Sequence, residues 1–122
     1  MNILLLEPYF TGSHKSWAED LQNFSSNEIN ILSMTDITGF GFAGHAMEML
    51  NGSNLSFNIS LDAIPIMNEA TEMYERGVTT GVNQSNRNLV ENNCSFLEGS
   101  TPAQQELMLD PQTNGGLLVA VK

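Results

Sequence analysis

The chain has 122 residues, enough for one ordinary domain with a modest core, and a hydrophobic fraction of 41% excludes a disordered polymer. Fourteen acidic residues stand against 4 basic ones, a net charge of −10, so there is no basic footprint for nucleic acid. No apolar run approaches the ~18 residues of a membrane helix, so no membrane partner is expected either.

The elements follow in chain order. "NILLL" (2–6), ended by Glu7-Pro8, reads as a buried strand. "MNILLLEP" is too short and lacks the basic start of a signal peptide. Trp17, Leu21 and Phe24 stand at helical spacing, and Ser16 with Glu19 resembles a capping box, which predicts a helix over roughly 13–24. "INILSM" (29–34) is a second strand, so the first 34 residues form a β-α-β pattern too small to fold alone. From Phe42 the apolar positions 42, 43, 46, 47 and 50 mark a helix closed by "NGSN". "LSFNISL" (55–61) alternates apolar and polar, the pattern of a half-buried strand.

Ile66, Ala70, Met73 and Tyr74 return to helical spacing, with Glu69, Glu72 and Glu75 outward and Gly77 as the stop. "TTGVNQSNRN" (79–88) is polar and rich in Gly and Asn, and reads as a loop. Thr101-Pro102-Ala103-Gln104 supplies an N-cap, a Pro at the first helical position and a box partner, opening a helix to about Leu109. "LLVAV" (117–121) is a final buried strand. Interleaved helices and strands make the class α/β or α+β.

Gly39, Gly41 and Gly44 spell G-x-G-x-x-G between a strand and a helix, the setting of a dinucleotide fingerprint. Two features oppose that reading. Thr35-Asp36-Ile37-Thr38 intervene before the first glycine, and Asp36 sets a carboxylate where a phosphate would sit. The same aspartate suits a metal. Asp36, flanked by Thr35 and Thr38, offers hard oxygen ligands for Mg²⁺, and Gly39 and Gly41 let backbone amides approach a bridged phosphate. With so few cations in the chain, a divalent metal or another polypeptide must supply positive charge for any nucleotide. On the residues alone, the plainer reading is preferred: Asp36 or Thr38 caps the helix, and the glycines merely permit the turn.

"TDITGFGFAGHAMEML" followed by "DPQTNGGLLVAV" resembles the C-terminal half of selenophosphate synthetase (selenide, water dikinase), whose pattern is close to T-D-V-T-G-F-G-L-L-G-H and D-P-Q-T-S-G-G-L-L. The resemblance covers about 35–122. It implies an aminoimidazole-ribonucleotide-synthetase-like C-terminal domain that packs on an ATP-binding domain. The implied reaction converts ATP, selenide and water to selenophosphate, AMP and phosphate, with Mg²⁺ and ATP as the implied cofactors. The family's magnesium aspartate matches Asp36. Thr35, Thr38, Gly39, Gly41, Gly115 and Gly116 are implied near the nucleotide phosphates. The remaining metal carboxylates, the catalytic lysine and the reactive cysteine or selenocysteine belong to the family's N-terminal half, so this segment is expected to be inactive alone. Asn114 replaces the family's usual serine.

Other reactive residue types have plainer readings. Cys94 lacks a neighbouring Lys or His to activate it, and a lone cysteine fits a reducing, cytoplasmic setting. His45 suits helix packing better than metal binding. Asp110, before Pro111, is expected to close a turn by an Asx hydrogen bond.

Residues 1–34 are similar to the opening of glycosyltransferase-like proteins that include the queuosine-tRNA mannosyltransferases. There "GSHK" would offer an anion a helix N-terminus and Lys15, or would simply be the loop into the helix. The chain thus reads as a β-α-β appendage (1–34) joined near 34/35 to the C-terminal-like domain (35–122). Alternatives to the inactive enzyme fragment are a non-catalytic assembly module docking on a separate ATP-binding subunit, and a glycosyltransferase-like fragment. Removing the packing partner would expose core-type side chains, with Met34, Phe40 and Phe42 as candidates, and would favour homo-oligomers.

Overall fold

The run "LLVAV" becomes the central strand of a three-stranded antiparallel sheet. The computed structural model describes residues 2–6, 21–23, 29–113 and 115–122. Within them β1 (Asn2–Leu6) and β2 (Ile31–Asp36) flank β3 (Leu117–Val121), in the order β1-β3-β2. Both outer strands pair antiparallel to β3, so β1 and β2 run parallel to each other with the last strand of the chain inserted between them. The β-α-β pattern of the opening residues is therefore completed from the far end of the sequence. β2 crosses residues 34 and 35 without a break, Met34 facing Val119 and Thr35 facing Leu118. Of the helix expected over 13–24, residues 21–23 are helical. Its proposed cap at Ser16 and Glu19, the "GSHK" segment and Asn114 lie outside the described residues.

All five residues of β3 are buried because each of its faces is covered. Leu118 joins a core of Ile37, Phe42, Ala46, Tyr74, Val90, Leu107 and Leu109 from the helical side. Leu117, Val119 and Val121 pack on the other side against Leu21, Ile29 and Ile31. A strand buried on both faces reads as a continuous apolar run rather than an alternating one. At the β2 edge the register slips between Ile31 and Ser33, leaving Leu32 as a bulge that is about half exposed.

The helices are α1 (Gly41–Leu50), α2 (Asn68–Glu75), α3 (Asn83–Val90) and α4 (Pro102–Leu109). α4 touches the other three. It opens with the expected capping box: Thr101 accepts from the Gln104 N–H at 3.2 Å, and Gln104 accepts from the Thr101 N–H at 2.8 Å. α2 closes in a Schellman turn, with Gly77 at φ 75°, its N–H donating to the Tyr74 carbonyl and the Val78 N–H to that of Met73.

Three sequence expectations are corrected. Residues 55–60 form no strand: the alternation is real, but nothing among the described residues pairs with it, and Leu55 and Ile59 face solvent while Phe57 and Leu61 rest on the helical core. Residues 79–88 are not all loop, because α3 starts at Asn83. Its inward face carries Asn83 and Asn86 as well as Val90, so no apolar stripe announces it. Phe42 is buried, whereas Met34 and Phe40 are exposed as expected.

A carboxylate turn zipped to a glycine loop

The two motifs meet at the C-terminal end of β2. Beyond Asp36 the chain stays hydrogen-bonded to the glycine loop: the Ile37 N–H donates to the Gly116 carbonyl at 2.9 Å, and the Gly115 N–H to the Ile37 carbonyl at 3.0 Å. The Thr38 carbonyl accepts from the Gln112 N–H at 3.0 Å and from the Gly41 N–H at 3.1 Å. Thr35, Asp36, Thr38, Gly39, Gly41, Gly115 and Gly116, all expected near one site, are thus gathered at one corner of the molecule.

The glycines are explained inside the chain. Gly41 adopts φ 69°, and a Cβ there would lie 2.8 Å from the Leu109 carbonyl carbon. A Cβ on Gly115 would lie 2.5 Å from the Ile37 oxygen, and one on Gly44 2.7 Å from the Phe40 Cβ. Gly39 faces open space. The close packing of α1 therefore requires the second and third glycines of the fingerprint. The cap reading fails. The residue preceding α1 is Phe40 and no side chain caps the helix, so neither Asp36 nor Thr38 does so.

Asp36 is exposed, and among the described residues its carboxylate has no hydrogen-bond or ion-pair partner. The fit to magnesium is partial. An exposed carboxylate at a strand end, beside threonine and glycine backbone, is a hard-oxygen donor of the right kind. Among the described residues no group of three or more His, Cys, Asp or Glu could hold a metal ion. Asp36 can be one ligand of such an ion, with the others coming from phosphates or another part of the protein.

Behind the turn lies a polar network that the sequence reading missed. Asn86 is 2% exposed and donates both amide hydrogens, to the Gly39 carbonyl at 2.9 Å and the Leu109 carbonyl at 2.8 Å. Asn83, equally buried, accepts from the Thr80 and Tyr74 hydroxyls and donates to the Glu106 backbone and side chain. Glu106 also accepts from Arg87 at 2.6 Å. Asp110 closes no Asx turn. One of its oxygens accepts from the Tyr74 hydroxyl and the other from the Gln112 side-chain amide, while the Gln112 backbone N–H goes to Thr38. Burial, then the hydrogen bond to Asp110, pushes the Tyr74 hydroxyl far above the usual phenol range. The available signal was the spacing of Asn83, Asn86 and Val90, which share a helix face at i, i+3 and i+7.

His45 is buried and packs near Phe40, as a helix-packing residue should. Cys94 is half-buried among core side chains, and burial raises its thiol pKa, the opposite of activation.

Residues 17–122 match the family described as AIR synthase related protein, C-terminal domain. The chain belongs to that family. It is 42% identical over 108 residues to selenide, water dikinase 2 of Peptoclostridium acidaminophilum, covering 88% of this chain and 29% of that relative. It is 46% identical over 87 residues to the selenide, water dikinase of Treponema denticola, covering 71% of this chain and 24% of the relative. For that of Clostridioides difficile the figures are 37% over 98 residues, 80% and 28%. The resemblance to the C-terminal domain of selenophosphate synthetase, and with it the α/β class, is borne out, and the chain spans under a third of the curated relatives it matches. The glycosyltransferase resemblance finds no support: the family match begins at residue 17 rather than 35. No helix among the described residues is long and apolar enough to cross a membrane.

Proposed function

We propose that this chain acts as the C-terminal domain of a selenophosphate synthetase, converting ATP, selenide and water to selenophosphate, AMP and phosphate once joined by an ATP-binding domain. The supporting observation is the exposed Asp36 carboxylate at the end of β2, on a turn hydrogen-bonded along the DPQTNGG loop. In this reading Asp36 is one ligand of a magnesium ion, which would neutralise and bridge phosphate oxygens. The chain's own part is to hold that carboxylate rigidly, through the backbone bonds from Ile37 and Thr38 to the glycine loop. Asn86 adds to the rigidity by tying Gly39 to the end of α4. The shortage of basic residues agrees with charge neutralisation by metal and by a partner domain. The setting we infer is the cytoplasm, with an ATP-binding domain as partner and self-association of the bare segment.

A second reading, a non-catalytic module that docks on a separate ATP-binding subunit, is favoured by the single carboxylate, which cannot assemble a two-phosphate site alone. One experiment separates the two. With Mg-ATP and selenide, the chain alone should release no AMP above background. Adding the ATP-binding portion of a selenide, water dikinase as a separate polypeptide should restore selenide-dependent AMP release with the wild type and not with Asp36→Asn. A complex that forms without activity supports the docking module. AMP and selenophosphate from the pure chain alone would contradict both readings.

A further inference from the structure

Two buried asparagines stand on the inward face of α3, and their tasks differ. Each is 2% exposed, and each ties α3 to a backbone carbonyl of α4: Asn83 to Glu106 at 3.1 Å, Asn86 to Leu109 at 2.8 Å. Only Asn86 also reaches the glycine-rich turn, donating to the Gly39 carbonyl at 2.9 Å. Both of its partners are carbonyl oxygens, so the NH₂ end of the amide must face them.

That bond decides how the Gly39–Phe40 peptide lies. The peptide is trans, and in a trans unit the C=O and the N–H point in opposite directions. With the Gly39 carbonyl drawn inward to a buried amide, the Phe40 N–H is turned outward. The outer side is open: Gly39 and Phe40 are both exposed, and a Cβ on Gly39 would meet nothing within 4 Å. Among the described residues the Phe40 N–H has no hydrogen-bond partner. Packing does little to hold this peptide, because glycine has no side chain to bury and Phe40 is about half exposed.

We propose that Asn86 is a positioning residue, which fixes the Gly39–Phe40 peptide with its N–H outward as a donor to the phosphate oxygens of a metal-bound nucleotide. The proposal rests on the reading of the turn as a metal–phosphate element. Without Asn86 the peptide is free to swing its carbonyl outward, where the oxygen repels phosphate. One hydrogen bond to a charged oxygen is worth about tenfold in affinity. Asn83 makes no bond to the turn, so it supplies the comparison.

The test uses the full chain, isotopically labelled, titrated with Mg-ATP and followed by NMR. In the wild type the Phe40 amide resonance should move on binding, and the Asn86 side-chain amide protons should exchange slowly with solvent. Asn86→Ala should weaken Mg-ATP binding by about tenfold. Asn83→Ala removes an equally buried amide from the same helix face; it should lower stability in urea melts and keep the wild-type affinity. A merely structural role for Asn86 predicts the same behaviour from both variants. If Asn86→Ala does not fold, Asn86→Ser, too short to bridge Gly39 and Leu109, takes its place, and the two wild-type readings decide without any variant. Wild-type affinity in the Asn86 variant overturns the proposal, as does equal weakening in Asn83→Ala, a rapidly exchanging Asn86 amide or a Phe40 amide that Mg-ATP leaves unmoved. In each of these cases, binding that is lost in Asp36→Asn keeps the metal reading. No Mg-ATP binding in the wild type, or binding that survives Asp36→Asn, overturns the metal reading and the proposal together.

Discussion

Gly41 and Gly39 look equivalent in a G-x-G-x-x-G pattern, yet their surroundings are opposite. At Gly41 a side chain meets two penalties: a backbone at φ 69°, and a Cβ 2.8 Å from the Leu109 carbonyl carbon. Neither neighbour can yield, because the clash is with backbone. Gly41→Ala should cost about 2–4 kcal/mol, from left-handed strain together with overpacking. Gly39 has open space around its missing Cβ, so Gly39→Ala should stay within about 0.5 kcal/mol of the wild type. Urea denaturation of the two variants checks this, and equal costs would contradict it. The reason for the glycines was not legible in the sequence. The pattern is identical whether the backbone approaches a ligand or a neighbouring helix, and only the position of α4 separates the cases.

At the scale of elements, the joint between α2, α3 and the end of α4 is polar. The single Tyr74 hydroxyl proton goes to Asp110, at 2.5 Å against 3.3 Å to Asn83, so Tyr74→Phe takes the donor from a part-buried carboxylate oxygen and should cost about 1–3 kcal/mol at neutral pH. The pH dependence has a definite sign. An unfolded tyrosine releases its proton near pH ~10, whereas burial and Asp110 keep the folded one protonated well above that. Above pH ~10 the folded state binds more protons than the unfolded state, so wild-type stability falls as pH rises, by up to about 1.4 kcal/mol per unit from this group. The advantage of wild type over Tyr74→Phe should therefore shrink between pH 9 and 11 (about 1.4 kcal/mol per unit at the steepest). A gap that stays constant in urea melts across that range would contradict the assignment. This joint also marks where sequence reading stops. α1, α2, α4 and all three strands carry apolar periodicity or caps, and were legible. α3 was not, because its inward side chains are amides whose partners lie on distant segments: Gly39, Glu106 and Leu109. The segment 55–61 failed in the opposite direction, since alternation specifies a strand only where a neighbouring strand supplies the ladder.

At the scale of the molecule, part of the apolar surface left open among the described residues lies near the β2 edge. Leu32 and Met34 are about half exposed, and Leu32, Met49, Leu50, Leu55 and Phe57 line an apolar groove of about 200 Å³. Such a patch should bind a hydrophobic dye and drive self-association, opposed by the net charge of −10 and therefore growing with salt. A dye-silent protein, monomeric at all salt concentrations in light scattering, would contradict this. In the proposed function the glycine-rich turn is a metal–phosphate element and not a dinucleotide cradle. Titration calorimetry with Mg-ATP and with NADH, on wild type and Asp36→Asn, tests it most directly. Since no side chain caps α1, Asp36→Asn should leave the melting temperature unchanged. We expect Mg-ATP binding in the millimolar range, a free energy of about 4 kcal/mol, abolished in Asp36→Asn, and no heat with NADH. Micromolar NADH binding that survives Asp36→Asn would contradict the account.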